Sequence, residues 1–299
     1  MARSNWTANN IPDQKNKVII ITGSTSGIGK AGAEILAEKN ATVVMAVRNT
    51  QKGESVATEI KSKFPKAKID VRKLDLSSLD SVEQFANGFI QNYDRLDVLI
   101  NNAGVMIPPY GKTADGFELQ MGTNHLGHFA LTGHLLPLLK NTKDSRIVAT
   151  SSVAHRYGNI DFSDLGWENR KYNASRAYSD SKIANIYFMY ELARKFKNTP
   201  DAPMITASHP GWTGTDLQRH SGLMRFLNIF FGQKPPQGIL PSLRAAFDPE
   251  ARSGDYYGPS GFMEMRGNPK KVKTIALAQD IKKAKMLWDM SEELTGVEY

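Results

Sequence analysis

Tyr178 and Lys182 stand four positions apart in the stretch Ala177-Tyr178-Ser179-Asp180-Ser181-Lys182. On a helix that spacing puts both side chains on one face. An ammonium beside a phenol favours the phenolate and lowers its pKa. A tyrosine tuned in this way can give a proton to a developing alkoxide and take it back, which is general acid–base chemistry. The same spacing is common in ordinary amphipathic helices, so the pair carries weight only in combination with other residues.

A second group could hold a phosphate. Thr22 is followed by Gly23, Ser24, Thr25, Ser26, Gly27, Ile28 and Gly29, a G-x-x-x-G-x-G pattern between an apolar run and a helical one. Glycines let a backbone approach a ligand closely, and the following helix offers unpaired N–H groups and partial positive charge to a pyrophosphate. The bland alternative is a tight turn that binds nothing. About twenty residues on, NAD binders place an acid that reads the ribose. Here the chain reads Val47-Arg48-Asn49, with no acid. An arginine can accept a 2′-phosphate through paired donors, which favours NADP(H) over NAD(H).

The elements that must position these residues are legible as alternating patterns. Apolar, β-branched runs at 17–23, 41–47, 68–75, 96–100, 146–152 and 204–209 read as strands. Amphipathic stretches at 28–39, 51–63, 79–90, 116–140 and 177–196 read as helices. Strands alternating with helices over two hundred residues predict an α/β fold with a Rossmann-type, doubly wound parallel sheet in three α/β/α layers. Ligands bind such folds at the C-terminal strand edge, near the switch in strand order. Both groups fall at that edge.

In order and approximate spacing, Thr22–Gly29, Asn101-Asn102-Ala103-Gly104, Ser152, Tyr178 with Lys182, and Pro210-Gly211 resemble the short-chain dehydrogenase/reductases over about residues 15–295. Residues 123–129 (TNHLGHF) and 287–296 (LWDMSEELTG) are similar to the retinol dehydrogenase-like branch. The resemblance implies a role for each residue. Tyr178 is the acid/base; Lys182 binds the nicotinamide ribose and tunes Tyr178. Ser152 holds the substrate oxygen, and Asn124 supports a water that relays protons towards Lys182. Asp75 and Leu76 flank the adenine, and Asn102, Ala103 and Gly104 line the cofactor cleft. Pro210, Gly211, Thr213 and Thr215 close over the nicotinamide and diphosphate. Ser151 is the alternative serine, expected to point away from Ser152 by strand alternation. Ser152 precedes Tyr178 by 26 positions, and the intervening 155–176 resembles an insertion of the same branch.

The expected activity is NADP(H)-dependent interconversion of a carbonyl and an alcohol on an apolar aldehyde, ketone or retinoid- or steroid-like substrate. One rival is reduction of a ring C=C bond, since protochlorophyllide reductases share a similar central helix; their expected pigment-site cysteines are missing here. Another is a non-catalytic NADP(H)-binding sensor, against which Ser152, Tyr178, Lys182 and Asn124 argue.

Composition narrows the rest. The 299 residues contain no cysteine, which excludes disulfides and a thiolate nucleophile and suits a reducing, cytoplasmic setting. The formal charge of +8 comes from scattered Lys and Arg without interleaved aromatics, so nucleic-acid binding is not expected. His125, His128 and His134 lack a completing carboxylate or cysteine, so packing is preferred to a metal. Residues 1–14 read as a polar N-terminal tail without an export signal. Residues 15–299 read as one dinucleotide-binding and catalytic domain, with a substrate segment at about 212–237. Within it, 223–231 (LMRFLNIFF) suits a lid; peripheral membrane contact is the less favoured reading. Helical patterns return at 238–247 and 278–294. A homo-oligomer stays open.

Overall fold

Three isoleucines and a valine explain the centre of the molecule. β1 (Val18–Thr22) reads VIIIT, and all five residues are buried. A strand covered on both faces needs this continuous apolar run rather than alternation. The computed structural model describes residues 6–212 and 233–299. In it β1 pairs in parallel with β2 (Thr42–Val47) on one side and β4 (Val98–Asn101) on the other. The full sheet has the order β3-β2-β1-β4-β5-β6-β7-β8, where β3 is Lys68–Lys73, β5 Arg146–Thr150, β6 Met204–Ser208, β7 Tyr256–Pro259 and β8 Pro269–Lys271. All pairs are parallel except β7 with β8. The order reverses between β1 and β4, which opens a crevice beyond their C-terminal ends.

Helices cover both faces. α1 (Gly27–Glu38), α2 (Thr50–Lys63) and the later α6 (Leu240–Phe247) pack on one core around Ile19, Ile21, Val43, Met45 and Val148. α3 (Leu79–Asn92), α4 (Gly127–Asn141), α5 (Ala174–Lys195) and α7 (Ile281–Thr295) pack on the other, around Ile20, Val44, Leu99, Ile147 and Ile205. Successive residues of β1 thus alternate between two cores, which locks the strand's register. No helix among the described residues is long and apolar enough to cross a membrane.

The structure corrects four expectations. The long helix over 116–140 is broken: a helical turn at Leu119–Met121 leads into a π-helical turn at Gly122–Leu126, and only then α4 begins. Glu118 caps the first turn by accepting from the Met121 amide at 2.7 Å. The region 6–14 is no tail. Trp6 and Ile11 are buried in the α1 core, and the Gln14 amide donates to the Lys39 carbonyl at 2.7 Å. Two apolar residues spaced through a polar stretch were enough to anchor it. The strand runs read from the sequence end at 209, yet β7 and β8 add two strands beyond it. Both are short and carry proline or glycine, which weakens a strand signal and suits a sheet edge. Finally, α5 starts at Ala174, capped by the Asn173 side chain accepting from Arg176 N at 3.0 Å. Of the 212–237 segment, only Trp212 and 233–237 lie inside the described residues; the 223–231 patch lies outside them.

Trp6→Ala is expected to lower the unfolding free energy by about 3 kcal/mol in urea titration, the usual cost of emptying a buried indole site. A loss under about 0.5 kcal/mol would restore the tail reading.

Candidate active site

The glycine turn is tight because it must be. Gly23 and Gly27 take φ of 69° and 56°. A Cβ on Gly29 would stand 2.4 Å from the Gly23 carbonyl and 2.6 Å from Asn102 Nδ2, so no larger residue fits where α1 begins. Ser26 precedes α1 without giving its amides a side-chain cap. The start of that helix therefore presents N–H groups and positive potential at the crevice, as a pyrophosphate requires. Ser24 is buried and donates to the Ile21 carbonyl at 3.3 Å, while Thr25, Ser26 and Ile28 are half-buried.

Across the crevice, the turn after β4 is held by Thr22. Its Oγ1 accepts from the amides of Asn102 and Ala103, both at 2.9 Å, and lies 2.9 Å from His128 Nε2. His128 Nδ1 lies 3.1 Å from the Asn124 carbonyl, which can only accept. Nδ1 therefore carries the proton, and Nε2 accepts from the Thr22 hydroxyl. Burial pushes His128 down to about 4, so the ring is neutral at pH 7. Nearby, Asn102 donates through Nδ2 to the Thr22 carbonyl at 2.8 Å, and its buried Oδ1 has no partner. An orphaned acceptor beside an uncapped helix start fits a ligand with hydrogen-bond donors seated between them.

Asn124 sits on the π-helical turn. Its Oδ1 accepts from Val105 N at 2.7 Å; its Nδ2 donates to the Val105 carbonyl and to Ser181 Oγ, both at 2.9 Å. The expected role was support of a water. In the structure the side chain ties the loop after β4 to α5. The insertion of one residue in a helical turn is what re-aims such a side chain.

Tyr178, Lys182 and Ser152 converge at the end of β5. The middle of α5 is buried throughout, including Tyr178 and Lys182. Ser152 caps the 3-10 turn Val153–Tyr157, accepting from Ala154 N at 3.2 Å, and its hydroxyl lies close enough to the Tyr178 phenol to pull its pKa down. Ser151 points the other way, donating to the Lys182 carbonyl at 2.7 Å. Lys182 Nζ makes one long bond, 3.4 Å to the Thr150 carbonyl, and lies 5.5 Å from the centre of the Tyr178 ring. A carbon built on Gly104 would stand 2.9 Å from Asn124 Oδ1 and 3.4 Å from Lys182 Nζ, so these groups share one wall.

The electrostatics differ from the expected depressed phenol. Burial pushes Tyr178 up to about 12, against the opposing pull of the nearby Ser152 hydroxyl. Burial also pushes Lys182 down to about 8. Desolvation outweighs charge–charge attraction in this pocket.

The remaining residues are placed as follows. Arg48 is exposed beyond β2, and its carbonyl accepts from Lys73 Nζ at 2.7 Å, which brings two cations to adjacent strand ends. Asp75 accepts from the Ser77 amide at 3.0 Å and its hydroxyl at 2.6 Å; Leu76 is buried. Pro210 and Gly211 follow β6 at the same edge. Thr213 and Thr215 lie outside the described residues. His125 hydrogen-bonds Ser291 at 2.9 Å inside the aromatic core of α4, α5 and α7. Among the described residues no three His, Asp or Glu side chains could together hold a metal ion. Sequence reading missed Thr22 as the hub of the β4 turn. A threonine ending a buried strand, just ahead of the glycine pattern, was the available signal.

Comparison with known proteins gives a consistent answer. The family model described as short chain dehydrogenase matches residues 17–225. Human retinol dehydrogenase 11 is 44% identical over 286 residues, covering 94% of this chain and 86% of that protein. Human retinol dehydrogenase 12 is 42% identical over 288 residues, covering 95% and 87%. A crystal structure from Mycobacterium paratuberculosis matches with a TM-score of 0.84 at 39% identity, over 99% of each chain. A Shigella flexneri short chain dehydrogenase complexed with NADP matches with a TM-score of 0.65 at 25% identity, over 82% of this chain and 97% of that one.

A buried ammonium with one long hydrogen bond should cost stability. Lys182 titrates near 8 folded and near its ordinary 10.5 unfolded, so the folded state holds its proton less tightly. Below pH 8 the penalty is whole; it shrinks as pH rises towards 10.5. Without ligand, Lys182→Met is expected to be more stable than the native chain at pH 7, by up to about 3 kcal/mol, and to lose that advantage above pH 10. Urea unfolding at several pH values checks this; a destabilised variant at pH 7 would show that the ammonium is well solvated in the fold.

Proposed function

This chain belongs to the short-chain dehydrogenase/reductase family as an oxidoreductase related to the retinol dehydrogenases, and from that premise we propose that it is an NADP(H)-dependent enzyme interconverting a carbonyl and an alcohol on an apolar, retinoid-like substrate, with Tyr178 as the acid/base. The observation that carries this reading is the convergence of Ser152, Tyr178 and Lys182 at the strand edge that also holds the glycine turn.

When bound, the nicotinamide supplies the hydride. The chain supplies placement and protons. The start of α1 and the turn at Gly23–Gly29 receive the diphosphate, and Asn102–Gly104 line the opposite wall. Asp75 and Leu76 lie where the adenine is expected. Arg48, with Lys73 beside it, offers the positive charge that a 2′-phosphate needs and a plain ribose does not. Pro210 and Gly211 border the nicotinamide end.

A carbonyl oxygen gains negative charge as it is reduced, so donors already aimed at it help most in the transition state. Ser152 and Tyr178 are two such donors. A phenol with a pKa of about 12 is fully protonated at pH 7, which is the form that can give up a proton in reduction. Lys182 offers donors for the ribose hydroxyls, and its positive charge eases departure of the phenol proton. The relatives' printed names point to a retinol-like alcohol, consistent with the apolar character of the 223–231 stretch.

Two variants test the reading. With a panel of aldehydes and ketones that includes retinal, Tyr178→Phe is expected to lower kcat/KM by about 10²- to 10⁴-fold. Its affinity for NADPH should stay near the native value; near-native turnover would remove Tyr178 from the chemistry. Arg48→Asp is expected to weaken NADPH relative to NADH by about tenfold or more, from the loss of charge-assisted hydrogen bonds. An unchanged preference in a fluorescence titration would transfer the 2′-phosphate contact elsewhere.

A further inference from the structure

Glu264 belongs to none of the motifs, yet it joins two of them. Its Oε2 lies 2.8 Å from Arg156 Nη2 and 2.9 Å from His209 Nε2. Arg156 sits on the 3-10 turn that Ser152 caps. His209 is the residue after β6, and its Nδ1 accepts from the Gly211 amide at 3.2 Å. That bond leaves the His209 proton on Nε2, where it is donated to Glu264. One carboxylate therefore holds the serine turn and the Pro210–Gly211 turn at once.

The loop carrying Glu264 is built to deliver it. Ser260 N donates to the Asn268 carbonyl and Gly261 N to the Arg266 carbonyl, both at 2.8 Å, which closes the loop at its neck. At its tip Met263 and Glu264 take φ of 49° and 58°. Two consecutive non-glycine residues in the left-handed region are costly and persist only when neighbours over-determine them. The backbone then reaches the second turn as well: Trp212 N donates to the Met265 carbonyl at 2.7 Å. Glu264 stays ionised despite partial burial, because His209 and Arg156 hold its carboxyl below the usual range. The surrounding titratable groups are His155, whose Nδ1 lies 2.7 Å from the Ser152 carbonyl, and Tyr256, whose ring lies against both His155 and His209.

We propose that Glu264 is a positioning residue that sets the distance between the two walls of the site, aiming Ser152 through Arg156 and the nicotinamide-side turn through His209. This rests on the reading of Ser152 and Tyr178 as the groups that meet the substrate oxygen. The carboxylate touches neither substrate nor cofactor; it acts through the residues it holds.

The test uses the full chain with NADPH and an active aldehyde, comparing Glu264→Ala, Glu264→Gln, Arg156→Ala and the Glu264→Ala/Arg156→Ala double variant. Stopped-flow single turnover gives the rate of NADPH oxidation, and amide hydrogen exchange reports on 152–158, 209–212 and 260–268. Glu264→Ala is expected to slow single turnover at least tenfold and to speed exchange in both 152–158 and 209–212. Glu264→Gln, which keeps an acceptor, should recover part of the rate. The double variant should be no slower than Glu264→Ala alone, because Arg156 acts through the same carboxylate. Faster exchange confined to 260–268 would overturn the clamp, as would loosened walls with an unchanged rate or losses that multiply in the double variant. Tyr178→Phe measured alongside separates the two claims: if that variant keeps its rate, the catalytic reading fails, while the exchange pattern still decides whether Glu264 joins the walls.

Discussion

A lysine ammonium buried with one long hydrogen bond is the constraint around which this molecule is organised. Lys182 lies in the middle of a buried helix, and its ammonium makes one long bond to the Thr150 carbonyl with no carboxylate among the described residues to pair it, so its charge is poorly compensated by the protein. Such a group persists in a fold only if the fold is stable enough to tolerate it and the bound state gives the charge a partner. The two packed cores on either side of a seven-stranded parallel stretch supply that tolerance. The site is a locally unfavourable spot held in place by a favourable remainder, the usual relation between stability and activity.

The groups around Lys182 are arranged by hydrogen bonds with little freedom. Thr22 receives two amides from the β4 turn and gives its proton to a neutral His128, whose other nitrogen is committed to the Asn124 carbonyl. Asn124 in turn spans Val105 and Ser181, one turn of α5 from Tyr178. Each member has only one consistent donor–acceptor assignment, so the network specifies a geometry as well as adding stability. It connects the turn after β4 to the helix that carries Tyr178 and Lys182. The π-helical turn at Gly122–Leu126 makes this possible by turning Asn124 out of the regular helical face.

Most of this was legible where the signal is local. Runs such as VIIIT and TVVMAV announce buried parallel strands by composition alone, and the glycine pattern after β1 announces a close backbone approach. What could not be read was set by partners distant in the chain. Nothing near Glu264 marks it, because one partner lies 55 positions earlier and the other on the Ser152 turn. Trp6 was hidden in a polar stretch whose anchor is the far end of α1. The phenol pKa was misjudged for a similar reason. Spacing shows that an ammonium is near, but only the packing of α5 shows how much water is missing. Short strands such as Tyr256–Pro259 and Pro269–Lys271 carry too few residues, and too much Gly and Pro, to declare themselves.

Those two late strands explain how the site acquires its second wall. β7 extends the sheet beyond β6, and its partner β8 returns antiparallel, so the connection between them emerges at the same edge as the Pro210–Gly211 turn. A parallel return would need a long crossover and would carry that connection to the opposite edge. The antiparallel turn-back is thus what lets a short loop reach His209 and Arg156. The same loop region holds Gln233, whose side-chain oxygen accepts from the Gly267 amide while its Nε2 donates to the Pro210 carbonyl at 2.6 Å. Trp212 and Gln233, which flank 213–232, are therefore both pinned to the sheet edge that carries Ser152 and Tyr178.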